Sequence, residues 1–198
     1  MTPPRVVLAR DGLVTYEPDF LHVDEADALL AFLREEIPWS QDAMTLFGRR
    51  VAFPRLTAWY GDPDAVYTYS GLRNEPRPWT PLLQSLRERL VARTGVPFNS
   101  VLLNFYRDGA DAMGWHADDE RELGVQPTIA SLSVGGERPF QLRHRRDGET
   151  IALPLAHGSL LVMSGQTQHA WVHRLPKQRR VHAPRINLTY RRVVPPAP

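Results

Sequence analysis

From Pro97 onward the chain is a train of short β-forming runs: Val101–Arg107, Ile129–Val134, Pro139–His144, Ile151–Leu155, Ser159–Ser164, Ala170–Leu175 and Arg185–Val193. Each is rich in β-branched, aromatic or long apolar residues, and turn-forming residues separate them. So many short strands must curl or double over to bury an apolar face, which points to an antiparallel sandwich of the double-stranded kind. Ahead of them lie two helical patterns. Leu21 to Glu36 repeats Ala26, Leu29, Leu30 and Leu33 at helical spacing, with Asp24 as the expected N-cap. The second has Thr80 as N-cap, Pro81 at the first helical position, an apolar face of Leu82, Leu83, Leu86, Leu90 and Val91, and Gly95 as the stop. Met44 to Gly71 breaks into small apolar-aromatic runs that read as hairpins. The expected class is α+β: a double-stranded β-helix (jelly roll) core with N-terminal helices packed on one face. One domain is expected over 1–198, helices and hairpins to about 97 and the jelly roll from about 98 to 193.

A metal site on this scaffold has few candidate ligands. The chain contains no cysteine, so an ion would have to be held by His, Asp or Glu. His116-Ala117-Asp118 offers two such groups, and residues i and i+2 of an extended segment point the same way. Taken alone, His-x-Asp is more often a hydrogen-bonded surface pair. A third ligand would come from the run Ala170-Trp171-Val172-His173; on spacing, His169 and His173 both suit. Two histidines and a carboxylate form the facial set of non-haem iron, which leaves coordination positions open.

The last strand makes the surface reading a poor fit. Arg185-Ile186-Asn187-Leu188-Thr189-Tyr190-Arg191 alternates polar and apolar, so its two arginines, Asn187 and Thr189 share one face. Arginines on an inner face cost heavily unless they meet anions, and a dicarboxylate is a natural partner through bidentate bonds. Asn104 and Tyr106 form a matching polar pair on another strand.

Together these segments resemble a known family. Asn104-Phe105-Tyr106, His116-Ala117-Asp118-Asp119-Glu120, Pro154-Leu155-Ala156-His157-Gly158-Ser159-Leu160, His173-Arg174-Leu175-Pro176 and Pro184-Arg185-Ile186-Asn187-Leu188-Thr189 are similar, in the same order, to motifs of the AlkB family of Fe(II)- and 2-oxoglutarate-dependent nucleic-acid dealkylases. The likeness runs from about Phe47 to Arg192 and is closest to the branch with the vertebrate double-strand-acting repair enzymes. It implies His116, Asp118 and His173 as iron ligands, and Asn104, Tyr106, Arg185, Asn187, Thr189 and Arg191 around 2-oxoglutarate. Arg185 would hold the distal carboxylate and Arg191 the metal end. The implied activity is oxidative dealkylation of 1-methyladenine- and 3-methylcytosine-type bases, using Fe(II), 2-oxoglutarate and O2 and releasing succinate, CO2 and an aldehyde.

The resemblance also assigns a substrate side. Asp119 would contact the target base, with Glu120 supporting it. Phe47, with Gly48 and Arg49, resembles the hairpin that inserts a side chain into the base stack, where an apolar wedge fills the gap left by a flipped base. Tyr67, Thr68, Tyr69 and Ser70 resemble the base-pocket segment. Read from the residues alone, Phe47 could equally be a core residue and Tyr-x-Tyr an ordinary half-buried strand. Trp59, Trp115 and Trp171 read as packing residues.

Charge points the same way, weakly. The formal net charge is only +2, but three arginine-rich clusters stand out: Arg49-Arg50-Arg55, Arg143-His144-Arg145-Arg146 and Arg174-Lys177-Arg179-Arg180-His182. Guanidinium forks suit phosphate. The expected partner is DNA, single- or double-stranded, with RNA second. With neither a signal-peptide pattern nor a membrane-length apolar run, a cytoplasmic, nucleoid-associated monomer is expected. The rival reading is a 2-oxoglutarate-dependent hydroxylase of a small molecule or protein on the same scaffold.

Overall fold

The computed structural model describes residues 3–46, 49–69 and 72–194. Its centre is a pair of antiparallel sheets. The larger has seven strands in the order β1 (Arg5–Leu8), β2 (Leu13–Glu17), β13 (Ser159–Ser164), β10 (Ile129–Gly135), β15 (Arg185–Arg191), β8 (Ser100–Tyr106) and β5 (Leu56–Gly61). The smaller has four, in the order β12 (Thr150–Leu155), β11 (Arg138–His144), β14 (Trp171–Leu175) and β9 (Met113–His116). Two ribbons stand apart from both, β3 (Ala43–Leu46) with β4 (Arg49–Ala52), and β6 (Tyr67–Tyr69) with β7 (Leu72–Asn74). All seven runs after Pro97 are strands, with ends shifted by a residue or two.

Three strands of the larger sheet come from the part of the chain assigned to helices and hairpins. β1 and β2 were not anticipated because Arg5–Glu17 is broken at Arg10-Asp11-Gly12, which reads as a turn. Gly12 is needed there: its φ is +143° and a Cβ would lie 2.4 Å from the Thr167 hydroxyl oxygen. β9, only four residues long, was likewise too short to register.

The helices follow their caps. In α2 (Pro81–Thr94) the Thr80 hydroxyl accepts from the Leu83 N–H at 3.3 Å, and Gly95 closes the helix in the left-handed region at φ +73°. α1 (Val23–Glu36) starts two residues inside the expected run from Leu21, with its cap ahead of the expected one. His22, not Asp24, is the N-cap residue, in extended conformation and without a side-chain cap, and its carbonyl accepts from Ala26 at 2.9 Å. Asp24 sits inside the first turn, where a carboxylate favours the positive end of the helix dipole.

Strand alternation then sorts the large sheet into two chemistries. Ile186, Leu188 and Tyr190 of β15, with Leu132 and Val134 of β10 and Val101 and Leu103 of β8, share one apolar cluster with Ala26, Leu29 and Leu33 of α1 and Leu83, Leu86 and Leu90 of α2. A second cluster draws Leu161, Met163 and Trp59 from the large sheet together with Phe140, Leu142 and Trp171 from the small one. Within this second region lies the polar cavity. No helix among the described residues is long and apolar enough to cross a membrane.

Candidate metal and cosubstrate site

Sheet register places the two histidines. His116 ends β9 and His173 lies at the middle of β14, and the two are cross-strand partners with ring centroids 4.2 Å apart. Asp118 follows β9 by two residues, is 3% exposed, and brings its carboxylate to the same point; ligand atoms of all three residues lie within 4.8 Å of one another. His169 is exposed in the short helix α3 (Thr167–Ala170), outside this group.

The donor set suits a divalent ion. The Gly114 carbonyl lies 2.9 Å from His116 Nδ1, so Nδ1 carries the proton and Nε2 keeps the lone pair. Burial pushes the His173 imidazole down to about 3, helped by the neighbouring His116 and opposed by Asp118; it is neutral at physiological pH. Burial lowers His116 as well, against the pull of Asp118. Burial alone would raise Asp118, yet the charge of Arg191 and its hydrogen bond to the carboxylate hold it below the usual carboxylate range. One anion and two neutral imidazoles are thus ready to bind without releasing protons.

Next to the three residues, the inward face of the large sheet carries every polar residue expected there. Asn104, Tyr106, Arg185, Asn187, Thr189 and Arg191 all line one cavity with His116, Asp118 and His173. The antiparallel register sets Arg185 opposite Tyr106 and Asn187 opposite Asn104. Arg191 donates from Nη2 to Asp118 Oδ1 at 2.8 Å. The amide of Asn187 donates to Ser131 Oγ (2.8 Å) and the Leu132 carbonyl (3.0 Å), and accepts from the Thr189 hydroxyl (2.9 Å).

Arg185 tests whether a cosubstrate fits. It is 2% exposed, donates from Nη2 to Ser133 Oγ at 2.9 Å and lies over the Tyr106 ring at 5.4 Å, while its Nε has no hydrogen-bond partner. Among the described residues no carboxylate pairs with it. Burial, with Arg138 nearby, pushes it down to about 10, so it stays charged at neutral pH. A buried guanidinium with a spare donor is costly unless an anion completes it. A small dicarboxylate would supply that anion.

Several residues at the site were not singled out from sequence. Ser131 and Ser133 are the hydroxyls that hold Asn187 and Arg185. Arg55, read only as part of a basic cluster, is buried and donates from Nε to Asn104 Oδ1 at 2.8 Å. Arg138 is wholly buried and binds the carbonyls of Asp108, Asp111 and Pro176, joining the loop before β9 to the loop after β14. The Ser-x-Ser alternation of β10 was the available signal for the first pair; nothing local distinguishes the arginines.

The substrate-side candidates are spread more widely. Asp119 is 42% exposed at its side chain and accepts from Arg145 at 2.8 Å, outside the cavity lining. Arg49 opens β4, and Tyr67, Thr68 and Tyr69 form β6, paired antiparallel with β7. Phe47, Gly48 and Ser70 lie outside the described residues. Trp59 and Trp171 are core residues as expected, but Trp115 is not: it is partly exposed, with the guanidiniums of Arg143 and Arg174 each 4.4 Å from its ring. Trp115 stands on β9, the edge strand of the smaller sheet, where its ring is left partly exposed.

Residues 13–191 match the 2OG-Fe(II) oxygenase superfamily. The chain is 44% identical over 188 residues to the alpha-ketoglutarate-dependent dioxygenase alkB homolog 3 of Mus musculus, covering 90% of this chain and 65% of that protein. It is 44% identical over 182 residues to the DNA oxidative demethylase ALKBH2 of Mus musculus (86% and 76%), and 42% identical over 181 residues to that of Homo sapiens (86% and 69%). It thus spans just under two thirds of the length of the alkB homolog 3 relatives. The solved structure of OsALKBH1 superposes with a TM-score of 0.66 at 17% identity, covering 93% of this chain and 100% of that one, which shows a common fold.

Proposed function

Because this chain belongs to the AlkB family of 2OG-Fe(II) oxygenases, we propose that it oxidatively removes alkyl groups from N-alkylated bases, of the 1-methyladenine and 3-methylcytosine type, in DNA and secondarily in RNA. The observation that carries this reading is the juxtaposition of the His116, Asp118 and His173 ligand atoms with the buried, incompletely satisfied Arg185 in one cavity.

His116, Asp118 and His173 would hold iron(II), and Arg185 the far carboxylate of 2-oxoglutarate. Bound together with O2, these groups supply one overall conversion: 2-oxoglutarate, O2 and an N-methyl base give succinate, CO2, formaldehyde and the unmethylated base. The chain's own contribution is orientation. Asn187, held by Ser131 and Thr189, and Asn104, held by Arg55, keep their amides fixed beside the cosubstrate. Arg191 keeps the Asp118 carboxylate ionised and turned toward the histidines. Phe140 and Met163 supply an apolar part of the cavity wall, where they would limit the access of water.

On the substrate side we assign Asp119 to the extruded base, Tyr67, Thr68, Tyr69 and Ser70 to its pocket, and Phe47, Gly48 and Arg49 to the gap left in the stack. An alkyl group on the pairing edge weakens the pair and lowers the cost of flipping. Support for a polyanionic partner comes from Trp115, where the second and third basic clusters meet: Arg143 and Arg174 both stack on the indole, and neither is in an ion pair among the described residues. The shared apolar cluster supports α1 and α2 as a layer on the opposite face of the large sheet, within a single domain.

The test is turnover on matched single- and double-stranded DNA and RNA carrying one 3-methylcytosine, with formaldehyde and succinate both measured. Equal amounts of the two products from a methylated DNA strand are expected. Succinate without formaldehyde from every methylated oligonucleotide would leave the oxygenase standing and remove the nucleic-acid substrate. Phe47→Ala should depress duplex turnover far more than single-strand turnover, since only the duplex must be unstacked and unpaired at a few kcal/mol; equal losses with a lowered Tm would make Phe47 a core residue.

A further inference from the structure

Asp118 is placed by a different device from the two histidines beside it. His116 and His173 are locked by register to each other, and His173 is also paired with Leu142 of β11. Asp118 lies beyond the end of β9, in a stretch that is neither helix nor strand. Its backbone N–H is taken instead by a side chain 50 residues away: Gln168 Oε1, at 2.9 Å. Gln168 is completely buried in α3, directly ahead of the strand that carries His173. Its Nε2 lies 3.5 Å from Sδ of Met163 in the cavity wall. Burying a primary amide costs free energy unless its hydrogen bonds are made. Leucine or methionine would fill the same space without that cost, so the acceptor has a purpose that packing alone does not explain.

We infer that Gln168 is a positioning residue for the metal carboxylate. This rests on the reading of His116, Asp118 and His173 as metal ligands. Gln168 holds the Asp118 backbone, while Arg191 holds Oδ1 of its carboxylate at 2.8 Å. Anchored at both ends, the side chain keeps a carboxylate oxygen within 4.8 Å of the histidine ligand atoms. The same bond ties the loop after β9 to α3 and so to β14, making Asp118 and His173 one mechanical unit. α3 is itself fastened at its start, where the Thr167 hydroxyl donates to the Ser164 carbonyl at 2.6 Å and accepts from the Leu13 N–H at 3.1 Å.

The experiment measures Co(II) binding by its visible absorption, with no nucleic acid or 2-oxoglutarate present, on wild type, Gln168→Met, Thr167→Val and Asp118→Ala. Loss of a group that orients a ligand typically weakens metal binding roughly 10–100-fold, and that is expected for Gln168→Met. Thr167→Val loosens α3 without touching Asp118; its Tm should fall while its Co(II) affinity stays within about threefold of wild type. The inference is overturned if Gln168→Met binds within that same margin, or if Thr167→Val weakens binding as much. Asp118→Ala separates the two levels. Wild-type affinity there removes the metal reading and the inference together, whereas lost affinity there with unchanged affinity in Gln168→Met removes the inference alone. Should Gln168→Met not fold, amide exchange in the wild-type protein still decides: a protected Asp118 N–H is expected, and an unprotected one refutes the bond.

Discussion

The two faces of β15 are buried alike and could hardly differ more in what they do. Ile186, Leu188 and Tyr190 are fully enclosed in an apolar cluster with helical leucines. Arg185, Asn187, Thr189 and Arg191, one residue out of phase, are nearly as enclosed, yet they line a polar cavity shared with three metal-type ligands. Burial on one face lowers the free energy of the folded chain. On the other it is a cost, offset by hydroxyls and an ion pair and, on the proposed function, by a bound dicarboxylate. The first face should therefore answer to stability measurements and the second to ligand measurements.

The largest effect expected on the polar side is loss of an ion ligand. His116→Ala, Asp118→Ala or His173→Ala should each abolish turnover and weaken Fe(II) binding, while His169→Ala stays active. Iron loss confined to His169→Ala would reverse the assignment. Next comes Arg185→Met, where a buried charge-assisted pair with the cosubstrate is worth roughly 2–5 kcal/mol. The apparent 2-oxoglutarate constant should rise accordingly, with no fall in the Tm of the ligand-free protein, because an apolar replacement of a buried charge is often neutral or stabilising. An unchanged 2-oxoglutarate constant with collapsed DNA binding would make Arg185 a phosphate contact.

Leu188→Ala sharpens the contrast from the other face. A buried leucine truncated to alanine costs roughly 2–5 kcal/mol of stability, which denaturant melts would show, while the 2-oxoglutarate constant of the remaining folded enzyme stays as it was. A shifted constant at modest stability loss would mean that the two faces are mechanically coupled through the strand. The smallest effect belongs to Thr189→Val, which removes the hydroxyl that holds Asn187. One neutral hydrogen bond is worth about 1 kcal/mol, so 2-oxoglutarate affinity should fall about fivefold.

Much of this contrast could be read in the order of residues. Strict alternation in Arg185–Arg191 separates the two faces before any coordinates exist, because side chains of a strand point to opposite sides with period two. His-x-Asp marks two ligand-type side chains, although Asp118 lies past the end of β9 and reaches the site through its loop rather than by strand period. Thr80-Pro81 with Gly95 brackets α2 by local capping alone. Asp24 misled because a carboxylate is as favourable inside the first turn as at the cap. β1, β2 and β9 were missed because four or five residues carry little periodicity, and what makes them strands is the neighbour they pair with.

The chain by itself thus determined the two-faced strands, the chemistry of the ligands and the place of the second helix, all consequences of local periodicity and capping. Spacing alone admits both His169 and His173; the resemblance selects His173, and what the tertiary structure adds is the register of β14 against β9 that sets this residue beside His116. Only the tertiary structure decided that Ser133 and Tyr106 surround Arg185, that Arg138 spans two loops, and that Gln168 reaches the Asp118 backbone across 50 residues. Such contacts depend on how separate strands and loops are brought side by side, and no periodicity within a single segment records that.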